Sequence, residues 1–425
     1  MASKGRSHRT GGSAKALLSK RGFIDRMDDG LTGVQGAQDV IAMITSRRKV
    51  AKLILGHNKL SDDGCIVLFQ FLGSPAGRKY RIMEISLNSN EIGDRGLLAI
   101  AAYLNGNQHL TELFLQNNLF SGDPSVIETF ANSINSSHLE MLSLATNTAL
   151  SDNFVGAFFS NLRSTYLKEL HVSATGITHR SAPHIISYIS SPERCHLHTF
   201  KCNGNALGYS AVKRIIGAIE KSNFALSSVE LYSNHMATES DDDDTSSNSS
   251  DWKESESKLR LIVSRNMYLK RMAEEEALGL LRYSRTLLLP TKSSALCMFP
   301  TELQLYILSF LAPTLSSAQH INVYTYASTL TTLPPLLPKL NGDELEMCLP
   351  DPFSLGLPEC ENKVWKVRGT TGGCASGKCC GALLCNIEQQ RTKWLDAVGC
   401  SAYDGRSGHI DILKYQVTQG KTSLS

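Results

Sequence analysis

The 425-residue chain carries 43 Lys and Arg against 40 Asp and Glu, and 42% of its residues are apolar. At roughly 150 residues per domain this is enough chain for two or three structural units, and the apolar content excludes wholesale disorder. Nearly balanced charge argues against a surface built throughout to hold nucleic acid. No run of about 18 uncharged apolar residues is present to span a membrane.

Residues 1–37 read as a basic disordered tail. Lys4, Arg6, Arg9, Lys15, Lys20 and Arg21 occur with no acid before Asp25, and the apolar centre of a secretory signal is missing. Such a tail is either plainly solvated or an import signal. With eleven cysteines unevenly spread through a long chain, reduced thiols in the cytoplasm or nucleus are expected.

From Val50 onward one pattern recurs seven times: apolar-x2-apolar-x-apolar-x2-Asn-x-apolar. It runs Val50-Leu53-Leu55-Asn58-Leu60, Ile82-Ile85-Leu87-Asn90-Ile92 and Leu110-Leu113-Leu115-Asn118-Phe120. Leu139-Leu142-Leu144-Asn147 follows with a one-residue slip before Leu150. Then come Leu167-Leu170-Val172-Thr175-Ile177, Leu197-Phe200-Cys202-Asn205-Leu207 and Leu226-Val229-Leu231-Asn234-Met236. Each apolar-x-apolar step predicts a short strand with its apolar side chains turned inward. Asn suits the turn that follows, because its amide bonds neighbouring backbone. Segments such as 65–72, 97–104 and 212–219 predict amphipathic helices, with Gly64, Gly96 and Gly208 near their starts as permissive backbone.

These residues resemble the leucine-rich repeats of the ribonuclease-inhibitor type, units of about 28 or 29 residues made of a strand and a helix. The resemblance implies an α/β solenoid: a horseshoe with a parallel sheet inside and helices outside. Residues 38–237 are assigned to seven such repeats with an N-terminal cap. The unit-four slip and Thr175 depart from the pattern.

Strand alternation then places the residues between the inward apolars on the concave face, where a protein partner with basic character would bind. Among them Lys52, Glu84, Asn88, Glu112, Phe114, Gln116, Glu169, His171, Lys201, Glu230 and Tyr232 are the candidate partner-binding residues. This mixture lacks the basic stripe that nucleic acid would need, so no nucleic acid and no membrane are expected as partners.

Residues 238–251 change abruptly to an acidic, Ser-rich linker. Residues 252–315 read as a helical cap for the solenoid, with spaced apolars from Leu259 to Leu288. Within it, Phe299-Pro300-Thr301-Glu302-Leu303 through Leu311 resembles the opening of an F-box, which implies recruitment by a ubiquitin-ligase adaptor. The alternative is an amphipathic helix started at Pro300 with its apolar face packed on the cap. Residues 316–425 read as a partly disordered, Cys-containing extension. Its Cys374, Cys379, Cys380 and Cys385 lack the pair spacing of structural zinc, and Gly372–Lys378 lacks the following hydroxyl and the length of a phosphate-binding domain. No cofactor, metal or catalytic residue is therefore expected.

The order of these segments is similar to uncharacterised fungal proteins described as ribonuclease-inhibitor-like, a resemblance that brings no activity. Repeats of this type beside acidic sequence also resemble activators of the Ran GTPase, which implies a small GTPase as an alternative partner. The leading expectation is a non-enzymatic protein-interaction scaffold.

Overall fold

The computed structural model of the chain describes residues 22–234, 245–288, 300–329 and 386–405, with backbone alone at 245–250, 286 and 386–390. It divides at Arg260 into two compact units.

In the first unit, eight three-residue strands pair in parallel and in chain order: β1 (Phe23–Asp25), β2 (Lys52–Ile54), β3 (Glu84–Ser86), β4 (Glu112–Phe114), β5 (Met141–Ser143), β6 (Glu169–His171), β7 (Thr199–Lys201) and β8 (Ser228–Glu230). Between them run α1 (Gly33–Thr45), α2 (Ser61–Gly73), the one-turn α3 (Pro75–Arg78), α4 (Asp94–Leu104), α5 (Pro124–Asn135), α6 (Ser151–Asn161), α7 (Ala182–Ile189) and α8 (Gly208–Ser222). Parallel neighbours require a crossover, and a helix supplies each of the seven, with α3 following α2 in the connection from β2 to β3. This is the α/β leucine-rich-repeat solenoid that the seven-fold pattern implies.

The reason lies in burial. The middle residue of each strand (Leu53, Ile85, Leu113, Leu142, Leu170, Phe200) is fully enclosed, as are the apolars flanking it in the repeat, such as Leu55, Leu87 and Leu115. Each such side chain contributes about 1.5–3 kcal/mol, and it does so only because the next repeat covers it.

An eighth strand, β1, precedes the seven expected. Phe23, Ile24 and Asp25 pair with Lys52, Leu53 and Ile54, so residues 22–37 carry a strand and the start of α1 rather than a tail. The pattern is hidden there because Arg26 stands in the slot of Leu55 and Asp29 in that of Asn58.

The Asn positions form a continuous buried ladder. Asn118 Nδ2 donates to Leu115 O of its own repeat and to Leu87 O of the preceding one, at 3.0 and 3.1 Å. Its Oδ1 accepts from Asn90 N and Ile92 N, each at 3.1 Å. Asn58 and Asn147 repeat the scheme, and Asn205 does so with Cys202 Sγ in place of the carbonyl of its own repeat. Thr175 keeps the bond to its own strand, Oγ1 to Val172 O at 2.8 Å, with a longer contact to Asn205 Oδ1 at 3.4 Å, and loses the bond to the preceding repeat. A hydroxyl is too short to reach back as the amide does. The slip after Asn147 is absorbed by one extra turn residue, and Ser151 N still donates to Thr175 O at 2.9 Å.

Just before each ladder position the backbone turns left-handed, at Asp28, His57, Ser89, Asn117, Thr146, Ala174, Gly204 and Ser233. Gly208 also has positive φ. Gly64 does not: its hydrogen faces Gly33, where a Cβ would lie 2.4 Å from the carbonyl oxygen. Close approach, not conformational freedom, requires glycine at residue 64.

Acids at the helix starts tie repeats together. Asp62 Oδ1 accepts from Gly93 N and Gly96 N at 2.7 and 2.8 Å, capping α4 from the repeat before it. Asp152 accepts in the same way from Thr178 N at 2.8 Å.

Helix α9 (Thr245–Leu288) begins inside the stretch expected as a linker and belongs to the first unit as far as Arg260. Within that unit Trp252 meets Tyr209 of α8 edge-on, ring centroids 5.5 Å apart, and Lys258 pairs with Glu220 at 2.7 Å.

From Leu261 onward α9 belongs to the second unit, with α10 (Thr301–Ser309), α11 (Ser317–Ser328) and α12 (Asn386–Ala397). Their shared core includes Ala277, Leu280, Leu308, Val323, Leu395 and Cys400. The extension expected to be irregular thus contributes two packed helices. Ser316 and Gln319 form a capping box at the start of α11, and Gln319 Nε2 also donates to Gly399 O and Ala402 O at 2.8 and 2.9 Å.

Candidate functional site

One face of the sheet carries the helices; the other carries the alternate residues of the strands. Register brings the candidates into three rows. Lys52, Glu84, Glu112, Met141 and Glu169 are successive neighbours in the first row. Ile54, Ser86, Phe114, Ser143, His171, Lys201 and Glu230 form the second. Asn88, Gln116 and Tyr232 follow their strands on the same alternation. All eleven candidate residues are half-buried except Tyr232, which is exposed.

Charges on this face are only partly matched. Lys52 Nζ pairs with Glu84 in direct contact. His171 Nε2 lies 2.6 Å from Glu169 Oε1. Lys201 pairs with Glu230 at 3.2 Å, and the Asn203 amide donates to the same carboxylate at 2.8 Å. Partial burial works against ionisation of Glu230, but the Asn203 bond and Lys201 together hold its carboxyl below the ordinary value.

Glu112 is the exception. Burial first, and then the neighbouring Glu84, push its carboxyl above the usual range; Glu140 and Glu169 add to this, and only Lys52 opposes it. In the third row, Gln116 Oε1 is enclosed without a hydrogen-bond partner among the described residues. Phe114 and Met141 put apolar surface next to these polar groups. An incoming cation flanked by an apolar group would satisfy what the face leaves unmatched.

Among the described residues no cluster of His, Cys, Asp or Glu could hold a metal ion. Cys65, Cys195, Cys202 and Cys400 are buried and free; burial pushes the Cys195 thiol up to about 11 and Cys202 and Cys400 to about 12, as in inert structural thiols. Cys348, Cys360, Cys374, Cys379, Cys380, Cys385 and the Gly372–Lys378 segment lie outside the described residues. No helix among the described residues is long and apolar enough to cross a membrane.

In the second unit, α10 does not turn its whole apolar face inward. Leu308 is fully buried, whereas Leu303, Tyr306, Ile307, Phe310 and Leu311 are exposed. The spacing of Leu303, Tyr306, Ile307 and Phe310 aligns them as one stripe along the helix. Only part of the expected packing on a cap is present.

Comparison with known proteins agrees with the repeat geometry. The family model described as Leucine Rich repeat matches residues 82–101, which contain β3 and the start of α4. The chain is 36% identical over 91 residues to the ribonuclease inhibitor of Sus scrofa, covering 21% of this chain and 19% of that protein. It is 23% identical over 207 residues to the Rho GTPase-activating protein gacW of Dictyostelium discoideum, covering 47% of this chain and 18% of that one. The chain therefore spans about a fifth of the length of each relative. With an unbroken parallel ladder, an enclosed Asn at the repeat period and these similarities, the first unit is a leucine-rich-repeat solenoid similar to that of ribonuclease inhibitor.

Proposed function

We propose that the chain is a non-enzymatic scaffold that docks a protein partner on the open face of the sheet, with a basic side chain of the partner received at Glu112. The observation that carries this reading is the state of Glu112: a half-buried carboxylate in register between Glu84 and Met141, surrounded by further acids and answered by Lys52 alone. A fold needs no such group for its own stability, and a partner's Arg or Lys would relieve it. Met141 and Phe114 supply apolar surface beside it, and Ile54 and the exposed Tyr232 lie farther along the same face.

The test is charge reversal at Glu112 and Glu169 together. Partners that co-purify with the native chain, and bind it directly when purified, are lost from the variant at unchanged melting temperature. Retention of the same partners would remove the reading.

A second reading concerns α10. Its exposed stripe favours docking of that helix on a ubiquitin-ligase adaptor, which would make the solenoid a substrate receptor. Failure of the full chain to bind the adaptor would discard it. The GTPase-activator alternative is supported by the similarity to the Rho GTPase-activating protein, which covers 18% of that protein. Absence of any acceleration of GTP hydrolysis by Ran- or Rho-type GTPases would discard that one.

A further inference from the structure

We propose that the rim of the solenoid built from the helix-to-strand connections binds single-stranded nucleic acid. This surface is separate from the open sheet face.

The connections stack into one ridge. Met83 N donates to Ala51 O at 2.8 Å, Thr111 N to Met83 O at 2.9 Å, Glu140 N to Thr111 O at 2.9 Å, Lys168 N to Glu140 O at 2.8 Å and His198 N to Lys168 O at 2.7 Å. Side chains just before the strands of successive repeats are therefore held as neighbours.

This ridge is basic. Arg47, Arg48 and Lys49 precede β2; Arg78, Lys79 and Arg81 precede β3; all six are exposed. Across the connections from residue 46 to residue 198 the only acids are Glu140 and Glu193. The opposite rim, where the helices start, is acidic, and three of its cations are paired: Lys59 with Glu91 at 3.6 Å, Arg95 with Asp63 at 3.1 Å and Arg26 with Asp29 at 3.0 Å. Among the described residues none of Arg48, Lys49, Lys79 and Arg81 has an ion pair.

Parallel helices account for part of this polarity, since helix C-termini favour cations. Arg78 Nε donates to Gly73 O at 2.9 Å and Arg163 Nη1 to Asn161 O at 3.3 Å in that role. Lys49 and Arg81 reach no helix carbonyl. Near-neutral net charge thus conceals two oppositely charged rims, an asymmetry that the balanced total does not reveal.

Two further features select the ligand. A hollow of about 140 Å³ lies between Arg78, Arg81, His109 and Asn107, a setting of cations and amide donors suited to a phosphate group. Farther along the ridge the rings of His138 and Tyr166 stack, centroids 4.0 Å apart at 22°, with Tyr166 43% exposed. Phosphate-binding cations beside an exposed flat ring are what single strands use, because the ring stacks on an unpaired base. A lipid surface would also engage the cations, but it offers no planar group to stack on the ring.

The test is fluorescence anisotropy of a labelled oligoadenylate RNA of about 12 nucleotides with the full chain, titrated at several salt concentrations. Affinity falls with salt at a log–log slope of about −0.7 per phosphate engaged. Lys49→Glu with Arg81→Glu weakens binding at least about tenfold, and Tyr166→Ala weakens RNA binding about fivefold or more while binding of inorganic polyphosphate is unchanged. Lys59→Glu on the opposite rim changes neither. Absence of saturable binding overturns the proposal. So does undiminished binding by the Lys49→Glu, Arg81→Glu variant, which would move the site to the basic residues 4–21. Tyr166→Ala without effect, together with equal affinity for phosphatidylserine vesicles, would show an anionic-surface site and likewise overturn it.

Discussion

Replacing Asn118 with Ala removes one side chain and strands three backbone groups. Leu87 O loses its amide donor, and Asn90 N and Ile92 N lose their acceptor, whereas Leu115 O keeps the Asn147 amide at 3.0 Å. Asn118 is 8% exposed and sits between fully enclosed Leu115 and Phe120, so water replaces these bonds poorly. An unpaired buried polar group costs about 1–3 kcal/mol. Carbonyls retain other bonding capacity and the loop relaxes, so the expected loss is about 3–5 kcal/mol rather than the full sum. That is a large fraction of a typical stability of about 5–15 kcal/mol. Urea unfolding of the first unit, followed by circular dichroism, measures it as a lower midpoint. Leu119→Ser, at the adjacent residue with 63% exposure, is the comparison and shifts stability by about 0.5 kcal/mol or less. A loss for Asn118→Ala no greater than for Leu119→Ser would refute the ladder as a source of stability.

Thr175→Asn restores the reach to the preceding repeat, and thermal unfolding shows a gain of about 1 kcal/mol; a loss would mean the slip after Asn147 has moved its partners out of range. Ala174→Gly relieves left-handed backbone at φ 53°, while Gly204→Ala imposes it at φ 65° with only Ala174 at 3.8 Å to meet the new methyl. The pair shifts stability by about 1 kcal/mol in opposite directions, read as melting temperatures, and equal signs would contradict the turn argument. Glu112 has a raised carboxyl in the folded state, so it destabilises the fold once ionised, as pH rises through the usual carboxylate range and then its folded value. Glu112→Gln therefore stabilises at pH 7, loses that advantage at pH below about 4, and weakens partner capture; a constant difference across pH would contradict the assignment. Phe310→Ser, at a side chain 66% exposed, leaves stability within about 0.5 kcal/mol, whereas Leu308→Ala, fully buried, costs about 2–5 kcal/mol; similar losses would mean the α10 stripe is packed.

Much of the solenoid was legible because two demands coincide on the same residues. Leu53, Ile85 and Leu113 must be apolar to be covered by the next repeat, and Asn58, Asn90 and Asn118 must be amides to bridge it. β1 escaped because, among the described residues, it has a neighbouring strand on one side only, and Arg26 and Asp29 stand where inner repeats carry Leu and Asn. The left-handed row is invisible in residue type, since His57, Ser89, Ala174 and Gly204 share a backbone conformation and nothing chemical. The capping acids Asp62 and Asp152 look like surface residues until the next repeat is placed against them. α11 was obscured by its Ser- and Thr-rich surroundings, although Ser316 and Gln319 carried the spacing of a capping box. Alternation alone placed the candidate residues on one face. Which cation meets which acid there depends on register, and the matched Lys52 and unmatched Glu112 became distinguishable only with the strands paired.

The claim that a partner occupies the open sheet face is tested most directly by a photoactivatable phenylalanine analogue placed at Phe114, and separately at Leu98 on the helical side. Cross-linking of the bound partner from position 114 and not from 98 is the predicted result. Cross-linking from 98 with none from 114 would put the partner on the helices and contradict the account.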